Sequence, residues 1–317
     1  MAITGNAPTA ANLAAEIPEV WTPIVNEALF PEAVLTNFCL DLSRFVEAGG
    51  DVIHVPDAYT NVLTSTTQST EGTEITPVVA ALVDDSITVT THEYVAWLIG
   101  DNTMSQLAKF YDLNQTYARQ AQGVLMNVIE AALAALWSSL STTAVGDTSN
   151  ALSDADIRVA ISTLEEANFR QSEMALFFAP EVYWTQILGI SKYYTFDTSR
   201  YEAIMTGMLG TANGPAQHRF KGMLYDIPLF TTTNVVNALQ TYRNLLLTPR
   251  AFAWGIRPLG GSLMGEFGPS PLRFRVQANY ELRNLATLGV VDFSYGTGVP
   301  RADGGVVLNS SNSFINS

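Results

Sequence analysis

The side chains best able to do chemistry in this sequence are three histidines, one cysteine and scattered carboxylates, and they match no enzymatic motif. His92 and Glu93 begin the H-E-x-x-H pattern of zinc peptidases, but Ala96 stands where the second histidine is required. The Gly260–Gly265 segment is not a G-x-S-x-G nucleophile turn, because Met264 replaces the last glycine. The phosphate-binding pattern G-x-x-x-x-G-K is also absent.

Neighbouring carboxylates such as Asp84–Asp85 and Glu165–Glu166 diverge on a strand or a helix. The sequence therefore predicts no catalysis, no cofactor and no metal; an enzyme would need a cluster that only folding assembles. Cys39 lies between Phe38 and Leu40, which predicts a buried thiol that packs like a small apolar side chain. As the single cysteine, it cannot form an internal disulfide.

The composition predicts a folded protein with a sizeable core. Apolar residues make up 47% of the 317 positions and charged residues 15%, which indicates about two domains, or one with long extensions. The longest apolar run, Ala131–Trp137, is too short to cross a membrane. Residues 1–16 contain no basic residue and no apolar block, so we expect no secretion signal, cytoplasmic synthesis and no membrane partner.

Charge is unevenly distributed around the net value of −14. Residues 1–100 carry thirteen acidic groups and one basic group, Arg44, whereas residues 201–317 carry six acidic and nine basic groups. This asymmetry favours head-to-tail attraction between copies, although an ordinary solvated surface would look the same. The basic residues are not clustered as in sequence-specific DNA-binding proteins.

The first part of the chain, up to the break at Gly49 and Gly50, shows apolar faces without an obvious cover. A small and polar start is followed by apolar residues at helical spacing and then by an alternating run. These are Trp21, Ile24, Val25, Ala28 and Leu29, and then Phe38, Leu40, Leu42 and Phe45. Since no neighbouring segment obviously covers these faces, we expect other copies of the chain to cover them.

Residues 51–98 are predicted to be β and to include a long hairpin. Asp51–Val55 alternates as a strand, 64–74 contains no apolar residue, and the β pattern returns at Ile75–Val83 and Ser86–Leu98. A hairpin of this length is marginally stable alone, and its open edges attract pairing unless a partner covers them.

A long helix is predicted from Asp101 or Asn102 to about Leu140. Uninterrupted from Leu113, it would be about 42 Å long at 1.5 Å per residue. Its predicted apolar face consists of Leu113, Tyr117, Ala121, Val124, Leu125, Val128, Ala132, Ala135 and Leu136.

The rest of the chain is predicted to form a mixed region after a linker at Thr142–Asn150. Ser153 and Asp156 predict a capping box at a helix start. The predicted strands are Met174–Phe178, Phe220–Thr231, Arg243–Leu247, Phe252–Ile256, Leu272–Tyr280 and Ala286–Tyr295, followed by a loose tail over Gly296–Ser317.

This order of elements resembles the major capsid proteins of tailed bacteriophages (Hong Kong ninety-seven type) over nearly the whole chain. The most suggestive stretches are Asp51–Pro56, Glu71-Gly72-Thr73-Glu74-Ile75, Asp84–Leu98 leading into Asn102, and Leu224–Thr233 followed by Phe252–Pro258. One departure is Asp226 before Ile227-Pro228, where such proteins often have glycine.

The resemblance implies an α+β fold with an N-arm (1–48), an extended loop (49–85), a peripheral domain with a spine helix (86–142 and 256–300), an axial domain (143–255) and a C-terminal tail (301–317). It implies a structural subunit that assembles into hexamers and pentamers of an icosahedral head enclosing double-stranded DNA. Scaffolding, portal and cement or decoration proteins would be partners, and the location would be the virion after assembly in the host cytoplasm.

Two further expectations concern contacts between subunits. Trp21 is expected to lie on a neighbouring chain, and the acidic loop residues Glu71 and Glu74 are expected to meet Arg273 or Arg275 of another. Some members of the family crosslink their shells through lysine, but here the lysines are Lys109, Lys192 and Lys221, none of them within 49–100. We therefore expect a noncovalent shell.

Two other structural roles stay open. An encapsulin-like compartment would share the fold and hold an enzyme cargo, and packaged DNA would distinguish the phage head from it. A tail or adhesion protein is the other alternative, which the long predicted helix disfavours.

Overall fold

The computed structural model describes residues 33–46, 50–57, 83–101, 113–190, 219–257, 259, 264–266 and 273–312. The predicted helix around Trp21, the hairpin tip at 64–74 and the first predicted strand of its return, 75–82, lie outside the described residues.

Helices and strands both contribute to the core. The helices are α1 (Leu35–Phe38), α2 (Leu113–Ala135), α3 (Asp154–Glu166) and α4 (Pro180–Val182), the last continuing as a π-helical turn over Tyr183–Ile187. The strands are β1 (Leu40–Asp41), β2 (Val52–Asp57), β3 (Val83–Thr88), β4 (Thr91–Gly100), β5 (Ala175–Phe178), β6 (Phe220–Leu224), β7 (Ile227–Thr231), β8 (Asn237–Ala238), β9 (Thr241–Leu247), β10 (Ala253–Arg257), β11 (Met264–Glu266), β12 (Arg273–Glu281), β13 (Ala286–Gly298) and β14 (Gly305–Ser311).

The first sheet is built around β13, the longest strand. Its order is β1-β10-β13-β12-β11, and β4 also pairs with β13. Residues 286–292 of β13 pair with β12 and with β4 at once, so these two strands lie on opposite edges of β13. Only β1 and β10 are parallel in this sheet. Among the described residues, no strand lies on the outer edge of β4.

The long helix α2 packs on this sheet with a face that differs from the predicted one. Ala121 and Leu125 are buried as expected, but the face continues through Ile129 and Leu133, and Val124 is exposed. These four buried positions follow strict i, i+4 spacing, which brings them to one side of the helix where β13 and β4 contact it. The helix ends at Ala135 and continues as a 3-10 turn over Leu136–Ser139, close to the predicted end.

The segment Thr116–Ser139 is long and apolar enough to cross a membrane by length and composition alone. Leu125, Ile129 and Leu133 are, however, buried in the core of the chain itself. Burial within the chain accounts for 33% of the most apolar 18-residue window of this segment.

The second sheet has the order β14-β9-β5-β7-β6, with β8 paired to β9. Helix α3 covers it with Ile157, Ile161 and Leu164, the three residues that the sequence predicts to be buried. The predicted capping box is confirmed, because the Ser153 hydroxyl accepts from the backbone N–H of Asp156 and the Asp156 carboxylate accepts from that of Ser153.

The predicted strand over Phe220–Thr231 divides at Tyr225 and Asp226, whose φ angles are +54° and +61°. Left-handed values at both central residues are those of a tight hairpin turn, where glycine and asparagine are usual. The Gln171 side-chain amide donates to the Tyr225 carbonyl, and the Tyr225 hydroxyl donates to Asp154. These contacts hold the turn at a position without glycine.

The prediction of a loose C-terminal tail is wrong for residues 296–298 and 305–311, which end β13 and form β14. Strand β14 is buried along its whole length, and its polar residues find partners there. The Asn244 amide donates to Ser310 Oγ at 3.0 Å, and the Gln186 amide donates to the Ser311 carbonyl at 2.7 Å. An asparagine- and serine-rich segment looks solvated in a sequence because these partners come from distant strands and helices.

The described part of the predicted arm packs on its own chain, contrary to expectation. Leu35, Leu42 and Val46 are buried, and β1 pairs with β10. The alternation over 38–45 is not one strand; it is divided among the end of α1, the two residues of β1 and a 3-10 turn. Residues 33–46 are therefore part of the subunit core.

Candidate functional site

The N-terminal segment 33–46 is attached to α2 by a buried carboxylate. Glu130 Oε2 accepts from the backbone N–H of Leu35 at 3.0 Å, and Oε1 accepts from the N–H and hydroxyl of Thr36 at 2.8 and 2.7 Å. Burial raises the pKa of Glu130 more than these hydrogen bonds lower it. The donors belong to Leu35 and Thr36, which precede Glu130 by 95 and 94 positions in the sequence. This long-range contact therefore determines where the segment crosses the helix.

The same segment continues along the edge of the first sheet. The Trp254 indole donates to the Thr36 carbonyl at 3.1 Å, and the N–H of Leu42 donates to the Trp254 carbonyl at 2.8 Å. Cys39 is buried between these contacts, and burial, followed by the charge of Glu130, raises the pKa of its thiol. The prediction of a buried cysteine is confirmed.

Strands β2 and β3 form a two-stranded ribbon that is the described base of the predicted extended loop. Val52 pairs with Thr88 and Asp57 with Val83, so the ribbon is in register over its whole described length. His54 Nδ1 lies 2.5 Å from Asp84 Oδ2 on its exposed side. Pro56 lies in β2, opposite Asp84.

The ribbon lies on a row of glycines in the first sheet. A Cβ on Gly296 would lie 2.2 Å from the Thr88 carbonyl oxygen, and one on Gly298 would lie 2.6 Å from Ile87 Cγ1. Gly255, which pairs with Gly296 across β10 and β13, would place a Cβ 2.9 Å from Ile53 Cδ1. The absence of side chains in this row allows the two layers to approach closely and sets the position of the loop base.

Beyond the ribbon, no described helix or strand packs on the sheet face opposite α2, which is called the open face below and bears a charged cluster. Arg275 Nε donates to Asp292 Oδ1 at 2.8 Å, and its Nη2 donates to Oδ2. His92 Nε2 lies 2.9 Å from the same Oδ2. Burial raises the pKa of Asp292, but the hydrogen bonds and charges of Arg275 and His92 outweigh it, so the pKa lies below its usual value.

Large apolar side chains are exposed on this face and at two hairpin tips. Tyr94 and Leu98 of β4 are 66% and 50% exposed, whereas Val95 and Trp97 between them pack on the core. Leu282 and Leu285 are exposed in the turn between β12 and β13, and Leu239 is 95% exposed between β8 and β9. Exposed apolar side chains that share one face of a strand, as Tyr94 and Leu98 of β4 do, are candidates for an interaction surface.

The described residues offer no site for metal chemistry, since no three His, Cys, Asp or Glu side chains among them lie close enough to hold an ion. The cavity lined by Tyr183, Leu188 and Lys221 holds about 30 Å³, room for one water molecule.

No model of a known protein family and no curated protein matches this sequence. Solved structures do match it. A chain from Mycobacterium phage Che8 has a TM-score of 0.68 at 17% identity, over 92% of this chain and 96% of that one. A chain from the capsid of Cyanophage P-SCSP1u has a TM-score of 0.65 at 14% identity, over 95% of both chains.

The chain has the phage major capsid fold. The α+β class predicted from the sequence is confirmed with it. A chain from an encapsulin complex of Synechococcus elongatus also matches, with a TM-score of 0.60 at 13% identity over 98% of both chains. The capsid fold is thus shared by both of the shell types that the sequence left open.

The structure places only part of the predicted contact set on this capsid fold. Trp21, Glu71 and Glu74 lie outside the described residues. Arg273 begins β12, next to β11, and Arg275 lies on the open face. Arg275 already forms an ion pair with Asp292 of its own chain. To contact Glu71 or Glu74 of another chain, its guanidinium would have to bind two carboxylates.

Sequence reasoning missed Glu130 and the glycine row. Glu130 is the single acidic residue of α2, in an otherwise apolar stretch, which could have marked it as a buried group with partners. Gly296-x-Gly298 in a run of strand residues could have indicated close backbone approach.

Proposed function

We propose that this protein is the major capsid subunit of a tailed bacteriophage, assembling into hexamers and pentamers of an icosahedral head that encloses double-stranded DNA. The observation that carries the proposal is the match of nearly the whole chain, from 92% to 98%, to shell-forming structures. A structural role follows, with no catalysis; scaffolding, portal and cement proteins are its partners, and the virion is its location after assembly in the host cytoplasm.

Within this proposal, residues 1–48 form the N-arm, whose described part, 33–46, packs on the subunit's own core. Residues 49–85 form the extended loop and α2 the spine helix. The first sheet with α2 forms the peripheral domain and the second sheet forms the axial domain. Strand β14 then belongs to the axial domain, because it pairs with β9 over seven residues.

The open face supports contact with another copy. Its described charges include Arg257 and the Arg275–Asp292 ion pair, while residues 58–82 contain the acidic Glu71 and Glu74 and no basic residue. We infer that the loop of one subunit crosses this face of the next, over Tyr94 and Leu98, and that Trp21 of the arm packs on a neighbouring chain.

Electron microscopy of the purified full-length chain tests the function. We expect closed icosahedral particles, and nuclease-protected DNA in particles from infected cells. An enzyme cargo in place of DNA would identify an encapsulin-like compartment, the alternative that the Synechococcus match favours. Soluble monomers at all concentrations would contradict both.

The turn between β12 and β13, a second exposed apolar surface, is tested as a further contact by Leu282→Ser combined with Leu285→Asn. Asparagine is chosen because Leu285 has φ +45°, which asparagine tolerates. We expect loss of particles with an unchanged melting temperature, since both side chains are exposed. Val159→Ser, at an exposed position of α3, is the control that should leave particle yield unchanged.

Arg273→Glu tests the charge contact without breaking the pair between Arg275 and Asp292. We expect a lower yield of particles, and wild-type yields would contradict the contact.

A further inference from the structure

Glu130 is a fully buried carboxylate that no cation neutralises among the described residues. It is 0% exposed, five residues before the end of α2, and the hydrogen bonds of its side chain come from the N-terminal segment. A buried charge without a counter-ion is costly unless donors surround it. Here the donors are the backbone N–H groups of Leu35 and Thr36 and the Thr36 hydroxyl.

The donors belong to the first turn of α1, whose N–H groups have no partner within the helix. A helix of four residues is not stable by itself. No side chain of its own sequence caps α1, so Glu130 supplies the cap from 94 residues away. Helix α1 therefore depends on Glu130 more than on its own sequence.

The surroundings of Glu130 are otherwise apolar. The titratable group that faces it from the N-terminal segment is the Cys39 thiol. From the sheet beneath α2, Tyr295 belongs to the same core cluster as Leu35 and Cys39, and burial followed by the charge of Glu93 raises its pKa. None of these groups is a cation at neutral pH.

We propose that Glu130 is a positioning residue that latches the N-terminal segment to α2, and that release of this latch frees the segment locally while the two sheets stay folded. The latch then fixes the position of Ala33, the first described residue, to which residues 1–32 are joined. This role rests on the proposed function as a shell subunit, in which those residues contact other copies.

Cys39 provides the readout. It is the single cysteine, it is 6% exposed, and it follows α1 directly, so a disulfide reagent reaches it only when the segment opens. The rate of Cys39 labelling with 4,4′-dithiodipyridine would be measured on the full-length chain from zero urea up to its global unfolding transition.

In Glu130→Gln the amide accepts at one oxygen only and turns its NH₂ toward the N–H groups of α1. We expect labelling about tenfold faster or more, the factor that corresponds to losing one hydrogen bond to a charged group. The extra labelling should depend little on urea, because local opening exposes little surface. Thr36→Val, which removes one donor, should give a smaller increase, and Glu165→Gln, at an exposed position of α3, should give none.

Labelling of Glu130→Gln at the wild-type rate would overturn the latch. An increase that follows urea as steeply as global unfolding would overturn it as well, since Glu130 would then support the whole core. Should Glu130→Gln not fold, the same comparison on Thr36→Val decides. Particle formation, observed separately by electron microscopy, tests the shell function. If wild type forms no particles while Glu130→Gln accelerates Cys39 labelling, the shell function is wrong and the latch is supported.

Discussion

At the scale of single residues, two carboxylates lie in different electrostatic surroundings. Asp292 is paired with Arg275 and His92 at the margin of the open face, whereas Glu130 is buried among backbone donors. The first is held charged by its partners, and the second is pushed toward its neutral form by burial. Substitutions at the two sites should therefore have different consequences.

Asp292→Asn should lower the free energy of unfolding by about 1–3 kcal/mol at pH 7, because Arg275 keeps a partly buried charge without its partner. Asp303→Asn breaks the more exposed pair with Arg301 and should cost less than about 1 kcal/mol. Chemical denaturation of both variants measures the difference, and equal costs would contradict the structural role given to Asp292.

The pH dependence of stability should reveal Glu130. Its pKa is raised from 4.5 in the folded chain, so the folded chain binds this proton more tightly than the unfolded chain. Its contribution is therefore greatest at and below the unfolded pKa and decreases as pH rises through the raised pKa. We expect the melting temperature of wild type, minus that of Glu130→Gln, to fall as pH rises above 4.5. A difference independent of pH would contradict the raised pKa.

At the scale of elements, the position of the β2–β3 ribbon depends on backbone rather than on side chains. Gly296 lies against the Thr88 carbonyl, which cannot move without breaking the pairing of Thr88 with Val52. Gly255 lies against Ile53 Cδ1, the flexible end of a side chain. The two glycines are paired across β10 and β13. Substituting each in turn therefore tests which contact sets the position of the β2–β3 ribbon.

Gly296→Ala should destabilise the protein by about 1–3 kcal/mol, the usual cost of overpacking, and should reduce particle yield by displacing the loop base. Gly255→Ala should have a smaller effect on both, because Ile53 can rotate away. Thermal unfolding and electron microscopy measure the two effects. A larger loss in Gly255→Ala would show that backbone contact does not set the ribbon position.

Some elements were predicted correctly from local sequence signals alone. The capping box at Ser153 and the strand that ends at Phe178 were predicted because their signals are local: hydrogen-bond partners three residues apart and a short apolar run. The buried face of α2 was predicted only in part. An apolar helix offers several possible faces, and the sheet it meets selects among them.

At the scale of the whole molecule, the predicted shell is noncovalent. Lys221 lies over the ring of Trp184, and the other two lysines lie outside 49–100 as well. Cys39 is buried. Mature particles boiled in detergent should therefore give a single band at the monomer mass of 34.4 kDa. Ladders of covalent oligomers would contradict this prediction.

The second sheet includes residues that were predicted to form a loose C-terminal tail. A tail that looked loose supplies β14, an edge strand of the second sheet, and it carries Asn309, Ser310 and Ser311 into the interior. Truncating the chain before Gly305 would therefore expose the edge of β9 and the core beneath it.

The sequence by itself determined the order of elements, the α+β class, the absence of enzymatic motifs and the resemblance to a shell subunit, because these depend on local periodicity and on the sequential order of segments. Tertiary structure alone decided that Glu130 caps α1, that glycines seat the ribbon and that β14 closes the second sheet. The physical reason is that each of these depends on a partner from far along the chain, up to 218 residues away for Trp254 and Thr36. Such partners leave no periodic trace in the residues around them.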